Sequence, residues 1–248
     1  MTHPPLFERT HILIGDEGIL RLQNSHVFIA GMGGVGSFVA EALARMGVGK
    51  LTLVDHDVVS ASNINRQLIA LNSTVGQAKA EVMQARIKDI NPDCDVIILK
   101  DFLTPDNITD IVKPDCDVVV DAIDSMSSKI ALLETAWRQN WAIFASMGAG
   151  GKLDPTQIRT GDIMDTSICK LAKQLRQHLR KRGVGKGIQT VYSLEPSLAP
   201  LPPEAMSQGR PRAVNGTASY IPSLFGLTLA GLVVNHIIGD ARRLPPSN

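Results

Sequence analysis

The 248 residues suffice for one full core, and 44% hydrophobic with 20% charged residues is ordinary for a folded domain. A formal charge of +1 leaves no global basic field, so any nucleic-acid contact must come from a local patch. Cys94, Cys116 and Cys169 form no CxxC pair, which argues against a disulfide framework and against a cysteine zinc site; no zinc is expected. The opening MTHPPLFERT lacks the apolar stretch of a signal peptide, and a cytoplasmic protein is the expectation.

Strands and helices alternate along the first half. Residues 26–30 form a short apolar run ending at Gly31, and residues 35–46 read as a helix. KLTLVD, residues 50–55, is a second strand, and residues 74–90 read as a helix stopped by Asn91-Pro92. Further strands are expected over 95–100, 117–120 and 141–146, with a helix over 127–140. The runs VIIL and VVV are continuous rather than alternating, as in strands covered on both faces. The expectation is an α/β fold: a doubly wound, Rossmann-like, mostly parallel sheet.

The second half differs. Residues 155–160 and 188–194 read as strands of an antiparallel extension, separated by a basic helix over 167–182. Residues 195–212 form a proline-rich loop, and 218–238 form a final helix. Residues 221–239 lack Asp, Glu, Lys and Arg and approach the length that spans a bilayer. Pro222, Gly226, Gly231, Asn235 and His236 favour a buried core or subunit-interface helix, with membrane association as the alternative. The chain is read as one domain over 1–248, with a nucleotide-binding core (1–150) and a substrate-facing, dimer-forming extension (151–248).

The turn Gly31-Met32-Gly33-Gly34-Val35-Gly36-Ser37 satisfies GxGxxG, follows a strand and opens a helix. Such glycines let backbone N–H groups approach phosphates at a helix N-terminus. Alone, this does not choose between NAD, FAD and ATP. Asp55 ends the second strand, where a carboxylate can accept from ribose hydroxyls. The block from Asp55 to Gln67, DHDVVSASNINRQ, then argues against a dehydrogenase. Hydride transfer needs no Arg66, whereas a triphosphate does, because Arg clamps phosphoryl oxygens in bidentate fashion. Lys79 adds a compact positive charge. Asp121 and Asp124 follow the VVV strand, and one of them is expected to hold magnesium.

These ordered motifs closely resemble the ThiF/MoeB group, relatives of ubiquitin-activating enzyme, over roughly residues 9–151. The resemblance implies that Gly31, Gly33, Gly34, Gly36, Ser37 and Asp55 hold the nucleotide. With them stand Asp57, Asn63, Arg66, Gln67, Lys79 and Asp121 as cofactor-binding residues, and Asp124 beside magnesium. It also implies a homodimer in which Arg9 reaches the partner's ATP, and a carboxylate activated by ATP. A bound monovalent cation near the nucleotide is a further cofactor compatible with this reading, without a sequence signature of its own.

The departures from that group narrow the reading. The zinc CxxC pairs are absent, and only Cys169 lies where an acyl-accepting cysteine would fall. The basic stretch carries Lys170, Lys173, Arg176, Arg180, Lys181, Arg182 and Lys186 with no acid among them. With the proline-rich loop, it resembles the branch of tRNA threonylcarbamoyladenosine dehydratases. That branch implies ATP-dependent closure of the threonine carboxylate onto its carbamoyl group, in tRNA beside the anticodon. Arg210 and Arg212 join the basic helix as tRNA-facing candidates. Alternatives are adenylation of a sulfur-carrier or ubiquitin-like protein, and a scaffold in a sulfur relay with a cysteine desulfurase system.

Overall fold

The computed structural model describes residues 4–112, 115–199 and 215–241. Seven strands form one sheet in the order β3-β2-β1-β4-β5-β7-β6. They are β1 (His26–Ala30), β2 (Lys50–Val54), β3 (Asp95–Leu99), β4 (Val118–Asp121), β5 (Ala142–Ser146), β6 (Ile158–Asp162) and β7 (Ile188–Ser193). All neighbouring pairs are parallel except β6–β7. The expected doubly wound sheet with an antiparallel extension is what forms.

The alternation of β1 shows how the layers arise. Val27 and Ile29 enter one core, and Phe28 and Ala30 enter the other. The first core is closed by α1 (Glu8–Gln23), α2 (Gly36–Met46), α3 (Lys79–Ile90) and α7 (Tyr220–Ile238). The second is closed by α4 (Ile108–Ile111), α5 (Met126–Arg138) and α6 (Lys170–Lys181). In register, Ala30 pairs with both Val54 and Asp121, and Asp121 pairs with Ala145. The carboxyl ends of four strands therefore share one rim. The chain reverses direction across the sheet between β1 and β4, where doubly wound sheets bind ligands.

Helix α7 is long and apolar enough to cross a membrane by composition, yet half of it is buried. Ile221, Phe225, Leu229 and Val233 pack into the first core. At Gly226 an added Cβ would meet Val35 O at 2.5 Å, so α7 lies directly against the start of α2. The outer face, with Leu227 and Gly231, is exposed. The expected core helix is observed, with one apolar face uncovered.

Several boundaries differ from expectation. The helix expected from residue 74 starts at Lys79. Thr74 Oγ1 donates to Ile69 O, Gly76 has φ +88°, and Ala78 pairs with Val58, which draws these residues into a turn. The strand expected over 155–160 begins at Ile158, because Asp154 accepts from Thr156 N–H and folds Pro155–Gln157 into a 3-10 turn. The basic helix starts at Lys170 rather than 167, since Ile168 sits at φ +63°. Helices α1 and α4 are additional to the expected elements. The loop over 195–212 is described only to residue 199.

Candidate active site

A cleft of about 1000 Å³ opens on the shared rim. Its floor is the glycine turn. Gly31 has φ +92°, and a Cβ there would lie 2.7 Å from Ala122 O. A Cβ on Gly36 would collide with Gly31 O at 1.7 Å. Only glycine permits a turn this tight. Helix α2 opens with no side-chain cap, so its orphan N–H groups and positive dipole end are offered to an anion where Gly33, Gly34 and Val35 line the cleft.

Asp55 braces this turn. Its Oδ2 accepts from Met32 N–H at 2.6 Å and its Oδ1 from Asp57 N–H at 2.8 Å. The buried carboxylate is thereby oriented while still lining the cleft, with acceptor capacity left for a hydroxyl. Ser37 does not face the cleft: it is fully buried, and its hydroxyl donates to Gly33 O at 2.6 Å. Its part is to tie the first turn of α2.

Arg66, Gln67 and Lys79 all line the cleft. Lys79 Nζ sits 2.7 Å from Asp57 Oδ2 on a nearly buried stem, which fixes the ammonium beside the turn. Asn63 is turned away: its Oδ1 accepts from Ser60 N–H in a capping box around Ala61–Asn63. The neighbouring Asn65, which is not among the expected site residues, lines the cleft instead. Its signal was membership of the same block, two residues on.

The two acids after β4 separate. Asp124 is exposed and lines the cleft. Asp121 is wholly buried beneath it and paired with Lys129 at 2.6 Å. Burial pushes its carboxyl up, against the pull of the Lys129 ammonium. Asp121 therefore cannot contact a nucleotide directly, contrary to expectation. Magnesium takes few carboxylates plus phosphate oxygens, a donor set to which Asp124, at the cleft, can contribute and the wholly buried Asp121 cannot.

The far wall comes from distant segments. Gly148–Gly150, Leu198, Asn215 and Thr217 line it, together with Lys170, Leu171 and Gln174 of α6. Leu198 N–H donates to Gly151 O, and Gly151 N–H to Gly216 O. The Glu195 carboxylate accepts from Leu153 and Asp154 N–H, and buried Lys152 donates to Glu195 O. Burial holds the Lys152 ammonium below its usual range. No periodic pattern marked these residues.

The basic candidates sort by environment. Lys173, Arg180 and Lys181 are exposed. Arg182 pairs with Glu134 at 3.1 Å and Lys186 with Asp165 at 2.8 Å. Arg176 is half-buried and bonded to Thr166 Oγ1. Arg210 and Arg212 lie outside the described residues. Arg9, in the first turn of α1, is exposed and does not line this cleft. Cys169 is buried at the start of α6, a poor place for an acyl acceptor. Burial pushes the Cys94 and Cys116 thiols up to about 11.

The model of the ThiF family matches residues 7–246. The tRNA threonylcarbamoyladenosine dehydratase of Bacillus subtilis is 42% identical over 241 residues, 94% of this chain and 95% of that protein. The solved Escherichia coli tRNA N6-threonylcarbamoyladenosine dehydratase, TcdA, in complex with ATP, superposes with a TM-score of 0.85 at 37% identity, covering 95% of this chain and 94% of that one. The adenylyltransferase and sulfurtransferase MOCS3 of Drosophila sechellia is 35% identical over only 56% of this chain and 30% of its own length. The glycine turn, the braced acid and the switch-point cleft thus stand on a chain that belongs to the ThiF family.

Proposed function

We propose that this chain is an ATP-dependent tRNA threonylcarbamoyladenosine dehydratase. The observation that carries the reading is a match over 94% and 95% of the chain to dehydratases at 42% and 37% identity, one of them solved with ATP, on a chain whose cleft has a glycine-turn floor at a helix N-terminus. The MOCS3-like alternative, activation of a carrier-protein C-terminus, is supported over little more than half the chain.

In the proposed reaction the threonine carboxylate of the modified adenosine attacks a phosphorus of ATP, a P–O–P bond breaks, and pyrophosphate or ADP leaves, giving an acyl-adenylate or an acyl phosphate. The carbamoyl group then closes on the acyl carbon, the acyl C–O bond breaks to release AMP or phosphate, the carbamoyl group gives up a proton, and the ring forms. The acceptor is part of the substrate, so no cysteine is required, in keeping with buried Cys169. Gly33, Gly34 and Gly36 seat the phosphates on the α2 N-terminus, and Asp55 accepts from the ribose. Arg66 and Lys79 neutralise phosphoryl charge, with Gln67 beside them. Asp124 would hold magnesium, which supplies further neutralisation of that charge. Positioning and charge neutralisation supply most of the catalysis.

The exposed basic residues of α6 face the tRNA in this reading. Arg9 serves the partner subunit's cleft in a homodimer. Support comes from its exposure on α1 and from uncovered apolar residues on that helix, Ile12, Leu13 and Leu20. A cytoplasmic setting accords with three free thiols. No residue is assigned to a monovalent cation or to a sulfur-relay partner. The deciding experiment incubates purified protein with ATP and tRNA carrying threonylcarbamoyladenosine. Mass spectrometry of the nucleosides should show loss of water from that nucleoside, and an unchanged nucleoside overturns the proposal.

A further inference from the structure

Arg66 Nη1 donates to Ser62 O and to Asn65 Oδ1, both at 2.9 Å. These bonds use both hydrogens of that nitrogen, so phosphate contact falls to Nη2 and Nε. The guanidinium is planar, and fixing one nitrogen fixes the direction of the others. Asn65 is held in turn from the opposite side of the cleft: its Nδ2 donates to Thr217 O at 3.0 Å, 152 residues along the chain. The two contacts also set the amide's orientation. Turned over, its NH2 would face the guanidinium and its oxygen would face a carbonyl. Thr217 belongs to the segment 215–217 that lines the far wall, pinned by Gly151 N–H to Gly216 O at 2.7 Å.

We infer that Asn65 is a positioning residue for the activation step. It holds the Arg66 guanidinium toward the phosphates and anchors that hold on the Thr217 carbonyl. Placement of Arg66 and of the substrate-facing wall thereby become one arrangement. Asn63, two residues earlier, is committed to capping Ser60 and cannot do this. The inference rests on the proposed role of Arg66 at ATP phosphates.

A double-mutant cycle tests it. Asn65→Ala, Arg66→Lys and the double variant are compared for ATP binding by titration calorimetry without tRNA, then for single-turnover ring closure. Asn65→Ala should weaken ATP binding and slow ring closure by about tenfold, as expected for a lost hydrogen bond to a charged group. In the Arg66→Lys background the same change should cost less than about twofold, because a lysine offers no fork to orient. Asn65→Gln, which retains the amide, should recover part of the loss. Equal losses in both backgrounds indicate a merely structural role and overturn the inference, as does wild-type behaviour of Asn65→Ala. If Asn65→Ala folds poorly, Asn65→Ser carries the same cycle. A wild-type protein that binds ATP but leaves the tRNA unchanged overturns the proposed function alone, since the binding cycle is read without tRNA.

Discussion

Lys129 Nζ lies 2.6 Å from Asp121 Oδ2, and neither side chain reaches solvent. Lys129 also donates to Ile123 O at 3.0 Å, and Asp121 Oδ1 accepts from Ile123 N–H at 3.1 Å. Two bonds, one from each member of the pair, therefore converge on Ile123, the residue that precedes Asp124. The pair shapes the turn that presents Asp124 to the cleft. Removing one partner strands a buried charge, so Lys129→Met should cost about 3–5 kcal/mol in urea unfolding. A loss below about 1 kcal/mol would mean that the pair does not hold the turn.

Gly31 and Gly76 both have positive φ, yet only Gly31 is crowded. Gly31→Ala would drive a methyl toward Ala122 O, 2.7 Å away, and should abolish measurable ATP binding. Gly76 has nothing within 4 Å of a Cβ, so Gly76→Ala pays only the backbone cost of about 1 kcal/mol. Its ATP affinity should match wild type. Equal ATP binding by both variants would refute the role given to the Gly31 turn.

The central strands could be read from the chain because they are buried on both faces, which leaves continuous apolar runs such as the three valines 118–120 of β4. The N-terminal helix could not: Gly15, at φ +66°, kinks it, and its exposed side carries Ile12, Leu13 and Leu20. The start of α3 was misjudged because the Val58–Ala78 bridge is a tertiary contact with no local mark. At the site, spacing located the right segments but not which atoms face the cleft. Ser37, Asn63 and Asp121 lie in correct motifs and point inward, to Gly33, Ser60 and Lys129. The far wall is assembled from residues up to about 70 positions apart in the chain, and only the fold brings them together.

Arg66 and Asp124 line the cleft without supporting a core, so their loss should separate activity from stability. Arg66→Ala and Asp124→Ala should each lower ring closure by roughly 10²–10³-fold, the scale for removing one charge-stabilising group. Thermal midpoints should stay near that of the wild type. Normal turnover in either variant would refute the assignment of these two residues.

Lys173, Arg180 and Lys181 present exposed charge, while Arg182 and Lys186 already face Glu134 and Asp165. Replacing the first three with alanine should weaken tRNA binding. The slope of log affinity against log salt should fall by roughly one per lost phosphate contact. ATP binding should not change. Arg176→Ala should act on stability instead, through the lost bond to Thr166. A salt slope identical to wild type would move the tRNA surface away from α6.

Glu41 on α2 accepts from Arg86 of α3 and from Arg45 one turn along its own helix. Partial burial pushes the carboxyl up, but the hydrogen bonds from Arg86 and Arg45 together outweigh it and hold Glu41 below its ordinary 4.5. A depressed folded value means that the unfolded chain takes up the proton first. The stabilisation is complete above about pH 4.5 and is lost as pH falls through the folded value. Glu41→Gln should therefore cost roughly 1 kcal/mol near neutrality, and its unfolding midpoint should fall less steeply than that of the wild type below that pH. Because the glycine turn stands at the N-terminus of α2 and Glu41 lies mid-helix, the same variant should keep ATP affinity at neutral pH. Parallel midpoint-against-pH curves for the two proteins would show that Glu41 does not join α2 to α3 in this way.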